Sequence, residues 1–234
     1  MTPTLIITRP KLQGIAFAAQ LRLAWDEDLH VILSPLLQIV SCPAVVPDVA
    51  GLIFTSVNGV AQTEILGLDK SLATYCVGEK TALASKDVGF DPMFGPGTVE
   101  GLAQLIIKSK NKGPFAHIRG RHSRGGLSHT LTHAGVICHD VIAYEQLKLE
   151  LTIEAKNALA GENPVVLPLF SPRTSAILKS NVPFAAPLHT VAISQAAQPE
   201  ISSVTSTIAI KPNGDAMLDA TINCLNRLRD SRDA

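Results

Sequence analysis

Residues 52–62, LIFTSVNGVAQ, place Thr55 and Ser56 directly after an apolar run and follow them with Asn58 and Gly59. Asn-Gly between apolar stretches is a hairpin signal, because a type I′ turn needs positive φ at both central residues. A serine just after a strand can instead cap a helix, whose first N–H groups then offer a seat to an anion. A partner stretch favours the second use. Residues 169–176, LFSPRTSA, repeat the strand, the serine (Ser171) and the helix start without any Asn-Gly. Both turns are expected to cap helices through Ser56 and Ser171 and to leave backbone N–H groups, with Thr55 and Asn58 beside them, open to an anion.

Other residues have chemistry to offer. VGEKTA (77–82) carries part of a phosphate-loop motif but not its spacing, so ATP is a poor fit. Gly78 there permits close backbone approach, and Thr81 can cap or bond a ligand oxygen. FGPGTVEG (94–101) is one residue off a dinucleotide fingerprint and reads as a turn. HIRGRHSRGG (117–126) is the most basic stretch, with Arg119, Gly120, Arg121 and Arg124 at a strand's end. Arginines there suit carboxylates, and Arg9 in ITRP holds the equivalent place elsewhere. Ser194 closes a further strand, VAIS. His129 and His133 have helical i, i+4 spacing but no third ligand, so no metal is assigned. No Ser/His/Asp or Cys/His constellation stands out. Tyr144, ending VICHDVIAY, is either an interface aromatic or a phenol facing a crevice.

The elements that must position these residues alternate regularly. TLIIT precedes KLQGIAFAAQLRLA; GLIFTS precedes NGVAQTEIL; TYCVG precedes EKTALASKDVG. PMFGPG precedes TVEGLAQLIIKS, FAHIRG precedes RHSRGGLSHTLTHAG, and VVLPLFS precedes PRTSAILKS. HTVAIS then precedes QAAQPEISS, and TIAIKPN precedes GDAMLDATINCLNRL. Each pair reads as a buried parallel strand followed by an amphipathic helix, which makes an α/β protein. VILSPLLQIV (31–40) and VICHDVIAYEQL (136–147) lack a following helix and read as connecting strands. The units between them echo those outside in circularly shifted order, suggesting two similar parallel-sheet, flavodoxin- or Rossmann-like lobes. Residues 1–33 with 148–234 form one discontinuous lobe, 43–134 the lobe inserted in it, and 34–42 with 135–147 the two-stranded connector.

Composition excludes several classes of function. The chain has 234 residues, 46% of them hydrophobic and 17% charged, which argues for a real core and against disorder. Lys+Arg and Asp+Glu are both 20, so nucleic acid is not expected as a partner. The four cysteines lie far apart without any C-x-x-C pair and read as reduced thiols. No apolar run approaches a membrane span, and the N-terminus lacks a signal-peptide pattern. A cytoplasmic protein with no membrane contact is expected.

Taken in order, ITRP, PLLQI, IFTSVNGV, CVGEKTA, HIRGRHSRGGL, VIAY, LFSPRTSA and KPNGDAML resemble the uroporphyrinogen-III synthase family across nearly the full length. The resemblance implies two α/β lobes joined by a two-stranded ladder, with the active site in the cleft, and a monomer. It implies a lyase (a hydro-lyase) of porphyrin and heme biosynthesis that acts on hydroxymethylbilane, a linear tetrapyrrole with eight carboxylates. Water is lost, ring D inverts through a spirocyclic intermediate and the macrocycle closes, without metal or organic cofactor. Tyr144 matches the family's tyrosine and is the candidate general acid; Thr81 matches its turn threonine. Arg9, Thr55, Ser56, Asn58, Gly78, Arg119, Gly120, Ser171 and Ser194 are the remaining candidate contacts. SQAA at 194–197 replaces the family's Gly-Pro-Thr-Thr-Ala-like turn, with Ser194 supplying the hydroxyl. The alternative is a non-catalytic two-lobed sensor for tetrapyrrole or another small anion.

Overall fold

A computed structural model describes residues 3–25, 29–109, 111–122, 126–181, 183–201 and 204–230. The chain divides into two compact units, Met1–Gln38 with Leu147–Ala234, and Ile39–Gln146.

The first unit is built on a sheet ordered β11-β10-β9-β1-β2. Its strands are β1 (Thr4–Ile7), β2 (Val31–Leu33), β9 (Val165–Leu169), β10 (Leu188–Ala192) and β11 (Thr205–Ile208). All these neighbours pair in parallel. Every residue of β1 and β9 is buried, as a strand covered on both faces requires. One face packs under α1 (Lys11–Ala24) and α8 (Gly214–Asp230) around Leu5, Phe17, Leu21, Met217 and Leu225. The other packs under α6 (Ile153–Ala160) and α7 (Pro172–Lys179) around Ile6, Leu159, Leu167 and Leu178. Helix α1 buries Gly14, Phe17, Ala18 and Leu21, the one-sided spacing that docks a helix on a sheet.

The second unit's sheet is ordered β3-β8-β7-β4-β5-β6. It uses β3 (Leu37–Ser41), β4 (Gly51–Phe54), β5 (Ala73–Cys76), β6 (Pro92–Phe94), β7 (Phe115–Gly120) and β8 (Cys138–Lys148). Strands β4 to β8 pair in parallel. Strand β3 runs against β8: Cys42 N–H donates to Ala143 and Leu149 N–H to Leu36, at 2.8 and 2.9 Å. Helices α2 (Val57–Val60) and α3 (Glu79–Asp87) belong to one face, α4 (Val99–Lys108) and α5 (Leu127–His133) to the other. The sequence echo has a physical basis: β6-β5-β4-β7-β8 and β11-β10-β9-β1-β2 are the same spatial order entered at different points of the chain.

Several elements depart from their expected lengths. The helix expected over 58–66 is one turn of α2, after which i→i+3 bonds such as Gln62 N–H to Gly59 take over. Of the stretch expected to be helical over 195–203, the described residues hold only a 3₁₀ turn, Gln195–Ala197. Pro199 forces Gln198 out of the helical region, and ψ there is 130°. The stretch 31–40 is two strands rather than one, since Ser34-Pro35 breaks it and β2 and β3 lie in different sheets. Helix α6 was not anticipated, although Thr152 caps it by accepting from Ala155 N–H at 3.2 Å.

Asn58-Gly59 lies inside α2, and no hairpin forms. Gly59 has ordinary helical backbone; its role is clearance, because a Cβ would lie 2.6 Å from the Ile118 carbonyl oxygen. Gly59→Ala is therefore expected to lower stability by about 1–3 kcal/mol, the usual overpacking cost, measured by urea denaturation. An unchanged midpoint would mean that α2 can retreat from β7 freely.

Candidate active site

In open α/β sheets, ligands bind beyond the carboxyl ends of the strands where the strand order reverses. In the second unit that point lies between β4 and β7, in the first between β1 and β9. Thr55 and Ser56 follow β4, and Arg119 and Gly120 end β7. Ser171 follows β9 by two residues and Arg9 follows β1 by two. The turns carrying Thr55, Ser56, Arg119, Ser171 and Arg9 thus stand at the switch points of their sheets, whereas Gly78 and Thr81 follow β5 and Ser194 follows β10.

Tyr144 reaches the first of these points through a β-bulge. Pairing of β7 with β8 steps from Arg119–Ile142 to Gly120–Tyr144, leaving Ala143 extra. Strict alternation would turn Tyr144 to the face of Asp140; the bulge turns it to the face of Val141 and Ala143. Its ring lies over Gly120, where a Cβ would meet ring carbons at 2.6 and 2.8 Å. The phenol is 5% exposed. Burial pushes its pKa up, against smaller opposing effects of the Ser56 hydroxyl, the Gly120 backbone N–H and the Arg119 charge. Ser56 also caps α2, accepting from Asn58 N–H at 3.1 Å.

The opposite face of the same edge carries a polar chain that the sequence did not reveal. Thr55 Oγ1 lies 3.0 Å from His117 Nε2, and His117 Nδ1 lies 3.0 Å from Asp140 Oδ1. Ser128 donates to the same Asp140 oxygen at 2.5 Å, and Arg119 Nη1 pairs with Oδ2 at 2.6 Å. Arg119 also donates to the Gly120 and Arg121 carbonyls, both at 3.2 Å. His117 is buried, while Asp140 is half-exposed. A hydroxyl–imidazole–carboxylate constellation therefore exists, contrary to the reading that none stands out. Its members lie 62 and 23 residues apart and meet only through the pairing of β4, β7 and β8. The one signal available was a histidine within the otherwise apolar start of FAHIRG.

In the first unit, the Arg9 guanidinium sits 3.9 Å above the Phe170 ring and 5.9 Å from that of Phe17. Burial lowers its pKa to about 10, so it remains a cation at neutral pH. No carboxylate pairs with it among the described residues. Ser171 caps α7, accepting from Thr174 N–H at 3.1 Å. Ser194 precedes the 3₁₀ turn without a side-chain cap bond and is half-buried. Gly78 is the N-cap of α3, which leaves that helix's first N–H groups without a side-chain cap. A Cβ on Gly78 would lie 3.0 Å from Gly97 Cα. Thr81 is only 5% exposed on α3, so little of it is open to a ligand. Arg124 lies outside the described residues. Among the described residues, no group of three or more His, Cys, Asp or Glu is placed to hold a metal.

The model of the family described as uroporphyrinogen-III synthase HemD matches residues 20–219. The chain belongs to the uroporphyrinogen-III synthase family. A uroporphyrinogen-III synthetase from Helicobacter pylori is similar in structure, with TM-score 0.68 and 18% identity over 95% of this chain and 100% of that one. A mutant uroporphyrinogen III synthase from Thermus thermophilus gives TM-score 0.56 and 16% identity over 97% and 100%. These likenesses show that the family's fold, α/β with parallel sheets, is kept at low identity. Comparison with curated proteins finds no match.

Asp140 gives the site a pH dependence. The His117 hydrogen bond, with further help from Ser128 and Arg119, holds its carboxyl well below the usual carboxylate range, and burial only partly opposes this. A folded-state pKa below the unfolded one stabilises at pH above about 3.9 and is lost as pH falls toward the folded value. Urea midpoints measured from pH 7 down to pH 3 are expected to fall more steeply in the wild type than in Asp140→Asn. Parallel declines would show that Asp140 gains nothing from its partners.

Proposed function

We propose that this chain cyclises hydroxymethylbilane to uroporphyrinogen III, with loss of water and inversion of ring D. The observation that carries the residue assignments is Tyr144: a buried, protonated phenol seated on Gly120 at a switch point, in a chain of this family. The leaving hydroxyl needs a proton donor. A phenol with a raised pKa keeps its proton throughout the physiological range and offers it to that oxygen, directly or through water. The Ser56 hydroxyl and the Gly120 backbone N–H lie beside the phenol.

The substrate's carboxylates are held by oriented donors rather than by bulk positive charge, which a chain with equal numbers of acidic and basic residues lacks. Arg9, flattened against Phe170, presents a planar guanidinium suited to a bidentate carboxylate. The uncapped start of α3 at Gly78 offers backbone N–H groups. Ser171, Ser194 and Asn58 supply further polar contacts. Most of the selectivity comes from holding the bilane folded so that closure strikes the substituted carbon of ring D. Free bilane closes spontaneously to the uninverted isomer, so the enzyme must outrun that reaction.

The same reading has the chain working as a cytoplasmic monomer without metal or organic cofactor. No described helix is long and apolar enough to cross a membrane. Supplying freshly made hydroxymethylbilane, oxidising the products and resolving type I from type III tests the proposal. Type III is expected well above the protein-free control; binding without any excess of type III would instead favour the non-catalytic sensor. Tyr144→Phe is expected to slow type III formation roughly 10²- to 10⁴-fold, the usual contribution of a general acid, with its thermal melt little changed. A rate equal to wild type would remove Tyr144 from that role.

A further inference from the structure

The Thr55–His117–Asp140 chain fixes which way the Thr55 hydroxyl points its proton. Asp140 is held as a carboxylate by Arg119 at 2.6 Å and Ser128 at 2.5 Å, and a carboxylate can only accept hydrogen bonds. His117 Nδ1, 3.0 Å from that carboxylate, must therefore carry a proton. In the neutral ring Nε2 is then a bare lone pair, and its partner at 3.0 Å is Thr55 Oγ1. The hydroxyl proton goes inward to His117, leaving Thr55 with only lone pairs to show to a ligand. Arg119 Nη1 and the Ser128 hydroxyl engage Asp140 alongside the ring, so the carboxylate's contacts are complete with a neutral imidazole.

We propose that His117 and Asp140 are positioning residues that make Thr55 a hydrogen-bond acceptor for a substrate pyrrole N–H, which rests on the synthase reading above. An outward acceptor repels a carboxylate and attracts an N–H. Loss of the bilane's hydroxyl leaves an azafulvenium cation, and the N–H of such a cation becomes a far stronger donor than a neutral pyrrole. Each hydrogen bond from Asp140 through His117 to Thr55 polarises the next, so the Thr55 oxygen is more electron-rich than a lone hydroxyl. Thr55 then stabilises the charged species more than the ground state, which is how a contact accelerates a step rather than merely tightening binding. Thr55, half-buried at the end of β4, is one residue from Ser56, the partner of Tyr144. The proton donor and the acceptor for the developing cation thus flank one strand end.

The tautomer is measured first and independently of activity. Long-range ¹H–¹⁵N spectra of the ¹⁵N-labelled full chain, with His117 assigned by its loss in His117→Gln, are expected to show Nδ1 protonated and Nε2 bare at the assay pH. A protonated Nε2 overturns the proposal whether or not the chain makes type III isomer. Asp140→Asn is expected to reverse the pattern, because the amide can donate to Nδ1 and drive the ring proton to Nε2. If that variant fails to fold, the wild-type spectrum still decides. Kinetics then test the consequence. Thr55→Val is expected to lower kcat roughly 10²-fold with KM little changed, and Thr55→Ser to restore most of the rate. A rise in KM at constant kcat would make Thr55 a ground-state carboxylate contact and reject the acceptor role. Absence of type III formation by the wild type would sink the synthase reading while leaving the tautomer result intact.

Discussion

The candidate site depends on how closely backbone and side chains approach the carboxyl end of β7. Gly59 brings α2 to the Ile118 carbonyl oxygen, where a Cβ would stand 2.6 Å away, and Gly120 lets the Tyr144 ring lie against the strand itself. Neither glycine has positive φ, so both positions are fixed by space rather than by turn conformation. With α2 seated this low, Ser56 comes to the phenol of Tyr144 and Thr55 comes to His117. One extra residue in β8, Ala143, completes the arrangement by changing the face on which Tyr144 emerges.

The result is one strand end with two differently prepared faces. On one, a phenol is surrounded mainly by apolar residues, and burial holds its proton in place. On the other, an ionised carboxylate is satisfied by histidine, serine and arginine together, and the chain of hydrogen bonds runs outward to a threonine. A partly buried polar network of this kind is most stable when its members are all partnered. The ion pair with Arg119 is part of that satisfaction, which turns Arg119 toward support of the site. Arg9 is the contrasting case: a stacked guanidinium with no acid beside it among the described residues, and hence donors to offer.

Much of this was legible in the sequence, and the exceptions have definite physical causes. Runs such as TLII, GLIF and VVLPL read as strands covered on both faces, and they are buried throughout. Ser56 and Ser171 were readable as caps because the hydroxyl's bond to a backbone N–H two or three residues ahead is local. The shifted echo between the two sets of units was readable because strand order follows chain order apart from the entry point. Helix lengths after Ser56 and Ser194 were overestimated, since the chain tightens to i→i+3 bonds after α2 and Pro199 turns Gln198 out of the helical region, neither of which apolar periodicity registers. The face of Tyr144 could not be read at all: a bulge adds one to a period of two, and pairing reveals it only afterwards. His117 and Asp140 share a register position across β7 and β8, a relation that no local pattern encodes.

On the proposed function, Gly120 is glycine so that the Tyr144 phenol can reach the reacting oxygen. A double-mutant cycle on the rate of type III formation tests it most directly, using Gly120→Ala, Tyr144→Phe and the pair. If the added methyl acts by displacing the phenol, Gly120→Ala slows the wild type strongly and slows Tyr144→Phe little further. Equal factors in both backgrounds, or no effect in the wild type, would contradict the account.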